Sequence, residues 1–322
     1  MPSASVAPAR AGNAFVFLLF AGLACTVADA IACPGNTTIS DPASYAAAAT
    51  CTTIAGRLTV SSFAGPQVEL PLLESVGGNV SIGSNMQITS LAVPLLLSVG
   101  GSISVRNNAQ LASVNMTQLD TVNRSFALDL NDNLGILFLR RLRRVGGSLF
   151  VNLNVNLMSL NAPVLDRVAG NFIVQENRLL DLNAPLLIDV FGILSISLNP
   201  NLASVVFPLL VTVGSSAVES NAGLMSIGLP QLRAVASDFL VRTNAALTIL
   251  NCPVLRLVGG FFDFSSNTAA TVDMAVVNFP VLVSVGFDLV VKENAQLTAL
   301  NLLRLDSIGR VILPPRTHSS QS

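Results

Sequence analysis

Pro71–Gly78 reads PLLESVGG, and Pro94–Gly101 reads PLLLSVGG. After each double glycine comes a short alternating run that ends on asparagine: NVSIGSN to Asn85, SISVRNN to Asn108. The valine before the glycines recurs as Val76, Val99, Val122, Val145, Val168, Val190, Val213, Val235, Val258 and Val285, with Ile308 last. The steps are 22 or 23 residues, apart from one of 27 between Val258 and Val285. A fixed period of this length marks a solenoid, in which each repeat is one coil stacked on the last.

The columns around the valine describe the coil. Three residues before it stands leucine in every repeat, from Leu73 and Leu96 to Leu282 and Leu305, which predicts an interior column. Burying each such leucine contributes about 1.5–3 kcal/mol. After the glycines, Val80 and Ile82, Ile103 and Val105, Phe126 and Leu128 alternate with Ser, Ala or Asn. Period two predicts a strand with one buried face, paired in parallel with its copies about 4.8 Å away. Asparagine follows at Asn85, Asn108, Asn131, Asn154, Asn177, Asn199, Asn221, Asn244, Asn267 and Asn294. Such a column predicts a ladder of side-chain amides at a turn. A second apolar column is read at Ile88, Leu111, Leu134, Leu157, Leu180, Leu202, Leu224, Leu247 and Leu297. Prolines such as Pro71, Pro94 and Pro163 suit a corner that needs no ladder N–H. The double glycine marks the next corner, with φ above zero expected there and Asn123 a tolerable substitute. The fold expected is all-β: a parallel β-solenoid of about eleven coils of ~23 residues, over 54–313.

Composition narrows the chemistry. Of 322 residues, half are apolar and 11% are charged, which an elongated stack with a continuous interior accounts for. The net charge of −1 gives no electrostatic footprint for nucleic acid. One histidine, one tyrosine and no tryptophan are a poor kit for metal binding, general-base catalysis or aromatic sugar platforms. No cofactor is expected.

The ends read differently. Residues 1–30 have the form of a signal peptide: Arg10, an apolar run from Phe15 to Cys25, and Ala28-Asp29-Ala30 as a cleavage site. That places the chain outside the cell and leaves Cys33, Cys51 and Cys252 in an oxidising compartment. Over 31–53, Ser40-Asp41-Pro42 opens an alanine-rich run, which predicts a short capping helix stapled by a Cys33–Cys51 disulfide. Cys252, one residue before Pro253, reads as a buried free thiol. The long step predicts a loop within Thr268–Asn278, and 314–322 read as a disordered tail. No C-terminal hydrophobic segment follows, so neither a transmembrane segment nor a lipid-anchor signal is expected.

The repeat G-G-x-L-x-I-x-x-N-x-x-L-x-S-L-x-x-P-x-L-x-S-V resembles the receptor L-domain family, a relative of leucine-rich repeats, over roughly 33–312. That family includes the L domains of insulin- and EGF-receptor ectodomains and fungal cell-wall surface proteins. The resemblance implies a right-handed solenoid of three short parallel sheets, secreted or surface-bound, with binding or structural roles and no catalysis.

Candidate sites follow from these columns. Asn36, Asn79, Asn115 and Asn123 open N-x-S/T sequons and are N-glycosylation acceptors by mechanism. Phe150 and Ile173, like Leu240, fall on the outward side of the strand after the glycines, where Ser and Ala dominate. With Asn152 and Gln175 they form the expected ligand face for an extracellular protein or glycan. Arg140, Arg141, Arg143 and Arg144 form the one basic run. The functional reading of the run is a site for an anionic glycan or partner; stacking favours a charge ladder of Arg143, Arg144 and Arg167 with Asp120, Asp166 and Asp189. Asp238, Asp263 and Asp288 share the outward side of three consecutive coils. Their spacing fits a glycosidase pair or a weak calcium site, but a solvated acidic edge beside Arg242 and Lys292 is the preferred reading. The function expected is non-enzymatic binding or adhesion. The alternatives are a structural wall or matrix component and a β-helix carbohydrate-active enzyme.

Overall fold

In a computed structural model, residues 31–268, 276–295 and 297–313 are described. The signal-peptide reading of 1–30, residues 269–275 of the loop expected within Thr268–Asn278, and the tail reading of 314–322 lie outside them; the end of that expected loop, Val276–Asn278, is instead a strand paired with Ala299–Asn301. The chain is a β-solenoid of about twelve turns; among the described residues its regular elements are strands, apart from one helix, α1 (Pro42–Ala49). Every strand pairing is parallel, with coil-to-coil register such as Ile103↔Phe126 and Val105↔Leu128.

Each coil has three sides. The valine side carries a two-residue strand, as at Ser98–Val99. The post-glycine side carries a four-residue strand, as at Ile103–Arg106. The third side carries a three-residue strand, as at Ser113–Asn115. The first two sides belong to one 22-stranded sheet, because some coils run straight through the glycine corner: Asp189–Ser197, Thr212–Glu219 and Ser284–Lys292 are single strands. The third side divides into sheets of four, two, three and two strands.

The interior follows the columns. Leu73 to Leu282 are at most 1% exposed, while Leu305 in the last described coil is half-buried. The second apolar column needs one correction. Leu180 is 59% exposed, and Leu179 is buried in its place. That coil is one residue short between Asn177 and its leucine, so Leu180 aligns with exposed Met158, whose carbonyl accepts its N–H at 2.7 Å.

The first turn starts earlier than the repeat pattern shows. Ala32–Cys33 and Thr37–Ile39 already pair with Thr53–Ile54 and Leu58–Val60. Helix α1 follows these strands. Asp41 caps it, accepting from the N–H groups of Ala43 and Ser44, while Ser44 Oγ accepts from the Asp41 N–H. The Ser44 hydrogen bond leads the causes that lower the Asp41 pKa. Cys33 and Cys51 are bonded, with Cα atoms 5.7 Å apart. Cys252 is free and buried, and burial pushes its thiol far up.

Two corners hold the coils together by different means. At the asparagine corner, Asn154 Oδ1 accepts from both the N–H and Nδ2 of Asn131, at 3.2 and 3.3 Å. Its own Nδ2 donates to Leu128 O, Asn152 O and Asn177 Oδ1. The same pattern runs from Asn85 to Asn294, and the asparagines from Asn85 to Asn267 are at most 3% exposed. The residue before each asparagine is left-handed, with φ of 55–58°: Ser84, Asn107, Leu130, Leu153, Glu176, Leu198 and on to Glu293. A left-handed residue with a Cβ costs about 1–2 kcal/mol. The amide bonds on either side hold it there.

At the glycine corner the expectation of positive φ is overturned: Gly35 is the one described glycine in that region, and Asn123 is not in it. These glycines supply room. A Cβ on Gly100 or Gly146 would collide with the carbonyl of Gly77 or Asn123 in the preceding coil. A Cβ on Gly101, Gly147 or Gly170 would meet Asn79 Oδ1, Ser125 Oγ or Ser148 Oγ. Those oxygens belong to a second ladder, in which a side chain of one coil caps a backbone N–H of the next. Asn79 Oδ1 accepts from Ser102 N–H, Ser102 Oγ from Ser125, Ser125 Oγ from Ser148, and Ser148 Oγ from Asn171.

Candidate functional site

With the backbone fixed at both corners, what differs between coils is what they display outward. On the post-glycine side the strands Leu149–Asn152 and Phe172–Gln175 lie side by side, with Phe150 opposite Ile173 and Asn152 opposite Gln175. Alternation turns Leu149, Val151, Phe172 and Val174 inward, leaving these four half-buried on the outer face. Ala127 precedes them in the column and Ser195 follows. Beside the pair is an open hollow of about 310 Å³ lined by Arg106, Asp129, Leu130, Phe150, Asn152 and Leu153. Asp129 accepts from Arg106 at 2.8 Å and from Asn152 Nδ2 at 3.1 Å. Asn152 Oδ1 is buried with no hydrogen-bond partner. Gln175 Nε2 donates to Glu176 at 2.9 Å. Leu240 is not part of this cluster; it stacks between Ala217 and Asp263, several coils away.

The sequons fall on coil surfaces. Asn36, Asn79 and Asn123 are exposed and Asn115 is half-buried. Asn36 and Asn79 each use Oδ1 to cap the next coil, at Arg57 N–H and Ser102 N–H. Among the described residues neither donates a hydrogen bond from Nδ2, the atom a glycan would occupy.

Most of the charged candidates pair off. Asp166 bridges Arg143 at 3.7 Å and Arg144 at 3.5 Å, and Arg167 reaches Asp189 at 3.1 Å. Arg140 instead lies over the Phe138 ring, and Arg141 donates to Gln118 at 2.6 Å. Asp120 accepts from Thr121 Oγ1. The ladder reading therefore holds for Arg143 and Arg144 and not for their two neighbours. The three aspartates do not form one cluster. Asp238 caps Phe261 N–H, Asp263 pairs with Arg242 at 3.6 Å, and Asp288 with Arg310 at 2.8 Å. Among the described residues no group of three or more His, Cys, Asp or Glu is placed to hold a metal. No described helix is long and apolar enough to cross a membrane.

The valine side carries two features that repeat counting does not expose. A wide hollow of about 780 Å³ crosses several coils, with Leu97, Asp120, Arg141, Arg143, Asp166 and Leu186 in its lining. Further along lies a smaller one of about 380 Å³, lined by Arg233, Val254, Arg256, Val281, Val283 and Arg304. Their residues stand two and four before the repeat valine, positions that hold no fixed residue type along the chain. Only stacking shows which of them meet. A third missed feature is the exposed aromatic pair Phe261 and Phe287 at the glycine corner, with centroids 5.2 Å apart.

No protein-family model, no curated protein and no solved structure matches the chain.

Proposed function

We propose that this protein is an extracellular, N-glycosylated, non-enzymatic binding module that presents the outer face of its post-glycine strands to a protein or glycan. The observation carrying this reading is the Phe150–Ile173 pair, flanked by Asn152 and Gln175 and open to a hollow, on a backbone held by two ladders. Such a surface loses little freedom on binding, so less of the contact energy is spent on ordering. Apolar anchors rimmed by amides match the composition of interface cores. The Cys33–Cys51 disulfide fits an oxidising compartment, and the repeat resembles that of receptor L domains.

The test is a pair of substitutions, Phe150→Asp with Ile173→Asp. Both side chains face outward, so the circular dichroism spectrum and melting transition should be kept. Cell-surface extracts and a glycan array are then probed with the wild type and the variant. A ligand that binds the wild type saturably and is lost with the variant supports the reading. Equal binding by a folded variant moves the site elsewhere, and an unfolded variant overturns the inside–outside assignment.

A further inference from the structure

We infer that the valine side carries a second binding site, formed by Arg233, Arg256 and Arg304, that takes a linear glycan bearing carboxylate or sulfate groups. Arg233 and Arg256 occupy the same column in adjacent coils, as the 2.9 Å bond from Arg256 N–H to Arg233 O shows. Their backbones are thus about 4.8 Å apart. Arg304 enters from the neighbouring column, from the coil that follows Val281 and Val283. All three arginines are exposed, and none makes an ion pair or hydrogen bond to a carboxylate among the described residues. Asp306, which follows Val283 in the same column, makes no ion pair with them, and among the described residues no acid lines the hollow.

Three like charges around one hollow repel one another, and an oxyanion between them removes that cost. Guanidinium groups bind carboxylate and sulfate through two parallel N–H donors, a stronger contact than a neutral hydrogen bond. The floor between them is Val254, Val281 and Val283, each half-buried. A basic rim over an apolar floor matches a sugar ring, whose C–H face packs on valine while its acidic substituents reach the rim. The hollow is lined by residues of four successive coils, which suits a chain laid across them better than a compact small molecule. The hollow near Leu97 on the same side shows the contrast. It holds Arg141 and Arg143 with Asp120 and Asp166, so its charge is balanced within the protein.

The test measures binding of the purified full chain to heparin and to polygalacturonate, with neutral dextran and poly-glutamate as further probes. Arg233→Gln, Arg256→Gln and Arg304→Gln are combined, which keeps much of each aliphatic stem over the valines. A control combines Arg57→Gln, Arg124→Gln and Arg178→Gln, three exposed arginines elsewhere on the surface with no carboxylate partner among the described residues. We expect at least one acidic glycan to bind in a salt-sensitive manner, at least about tenfold more weakly to the first variant and unchanged to the control. Heparin alone binding assigns sulfate, and polygalacturonate binding assigns carboxylate as sufficient. Phe150→Asp with Ile173→Asp should leave this binding intact, which separates the two sites. The inference is overturned if neither glycan binds, if both variants weaken binding equally, or if poly-glutamate alone depends on the three arginines.

Discussion

The asparagine corner and the glycine corner solve the same problem, turning the chain so that the next coil lands on the last. They tolerate variation very differently. Asparagine fills its column at all ten positions from Asn85 to Asn294. The first glycine position also holds Asn123, Ala169, Phe191 and Ala236, and the second also holds Arg124, Ser215, Ser237, Phe287 and Arg310. The corner even loses a residue in the coil of Gly214. The asparagine points inward and is hydrogen-bonded from above and below, so any replacement leaves buried donors and acceptors without partners. The glycine corner needs only space beside a neighbouring carbonyl or hydroxyl. Space can be found by a small shift of the outer backbone.

Substitutions at the two corners can break or sharpen this contrast. The largest effect is expected for Asn154→Ala, which leaves the buried Asn131 N–H without its acceptor and removes the amide bonds to Leu128 O, Asn152 O and Asn177 Oδ1. It should cost about 3–5 kcal/mol, from ~1–3 kcal/mol for the unsatisfied donor and ~0.5–1.5 kcal/mol for each lost bond, read from the denaturant midpoint. A loss under 1 kcal/mol would show that the ladder is ornamental. Gly146→Ala should cost less, about 1–2 kcal/mol, because the Asn123 carbonyl must move. A cost matching that of Asn154→Ala would erase the difference between the corners. The smallest effect has the opposite sign. Leu198 holds a left-handed φ of 56° with 45% of its surface exposed. Leu198→Asn should raise stability by about 0.5 kcal/mol, since asparagine tolerates that conformation better than leucine. Destabilisation there would mean that the leucine side chain, not the amide ladder, fixes the turn.

These corners also show how far the sequence can be read. The leucine and asparagine columns are legible because an interior position admits one chemistry, and repetition displays it. The capping helix and the Cys33–Cys51 pairing are legible from local chemistry. Leu180 misleads because a one-residue deletion between Asn177 and Leu179 leaves two leucines side by side, and either satisfies a pattern. Left-handed φ goes to Leu130, Leu153 and Leu198 and not to glycine, since ladder bonds outweigh local preference; no propensity rule shows this. The candidate sites are the least legible part. Phe150 and Ile173 are marked by breaking a Ser/Ala column. Arg233, Arg256 and Arg304 break no column, and they converge only because coils stack with a defined offset.

The asparagine ladder has one more property: it has a direction. Each Nδ2 donates to the Oδ1 of the following coil, through nine successive contacts from Asn85 to Asn294. The amide dipoles are therefore in series, and each polarises the next, strengthening bonds by about 10–30%. A series of aligned dipoles can be lengthened or shortened by a whole unit without reversing its sense. A coil of 22 or 23 residues could thus be duplicated or removed with head still meeting tail. The length of the rod, and the number of decorated surfaces it carries, can change by whole coils while the ladder's polarity stays the same.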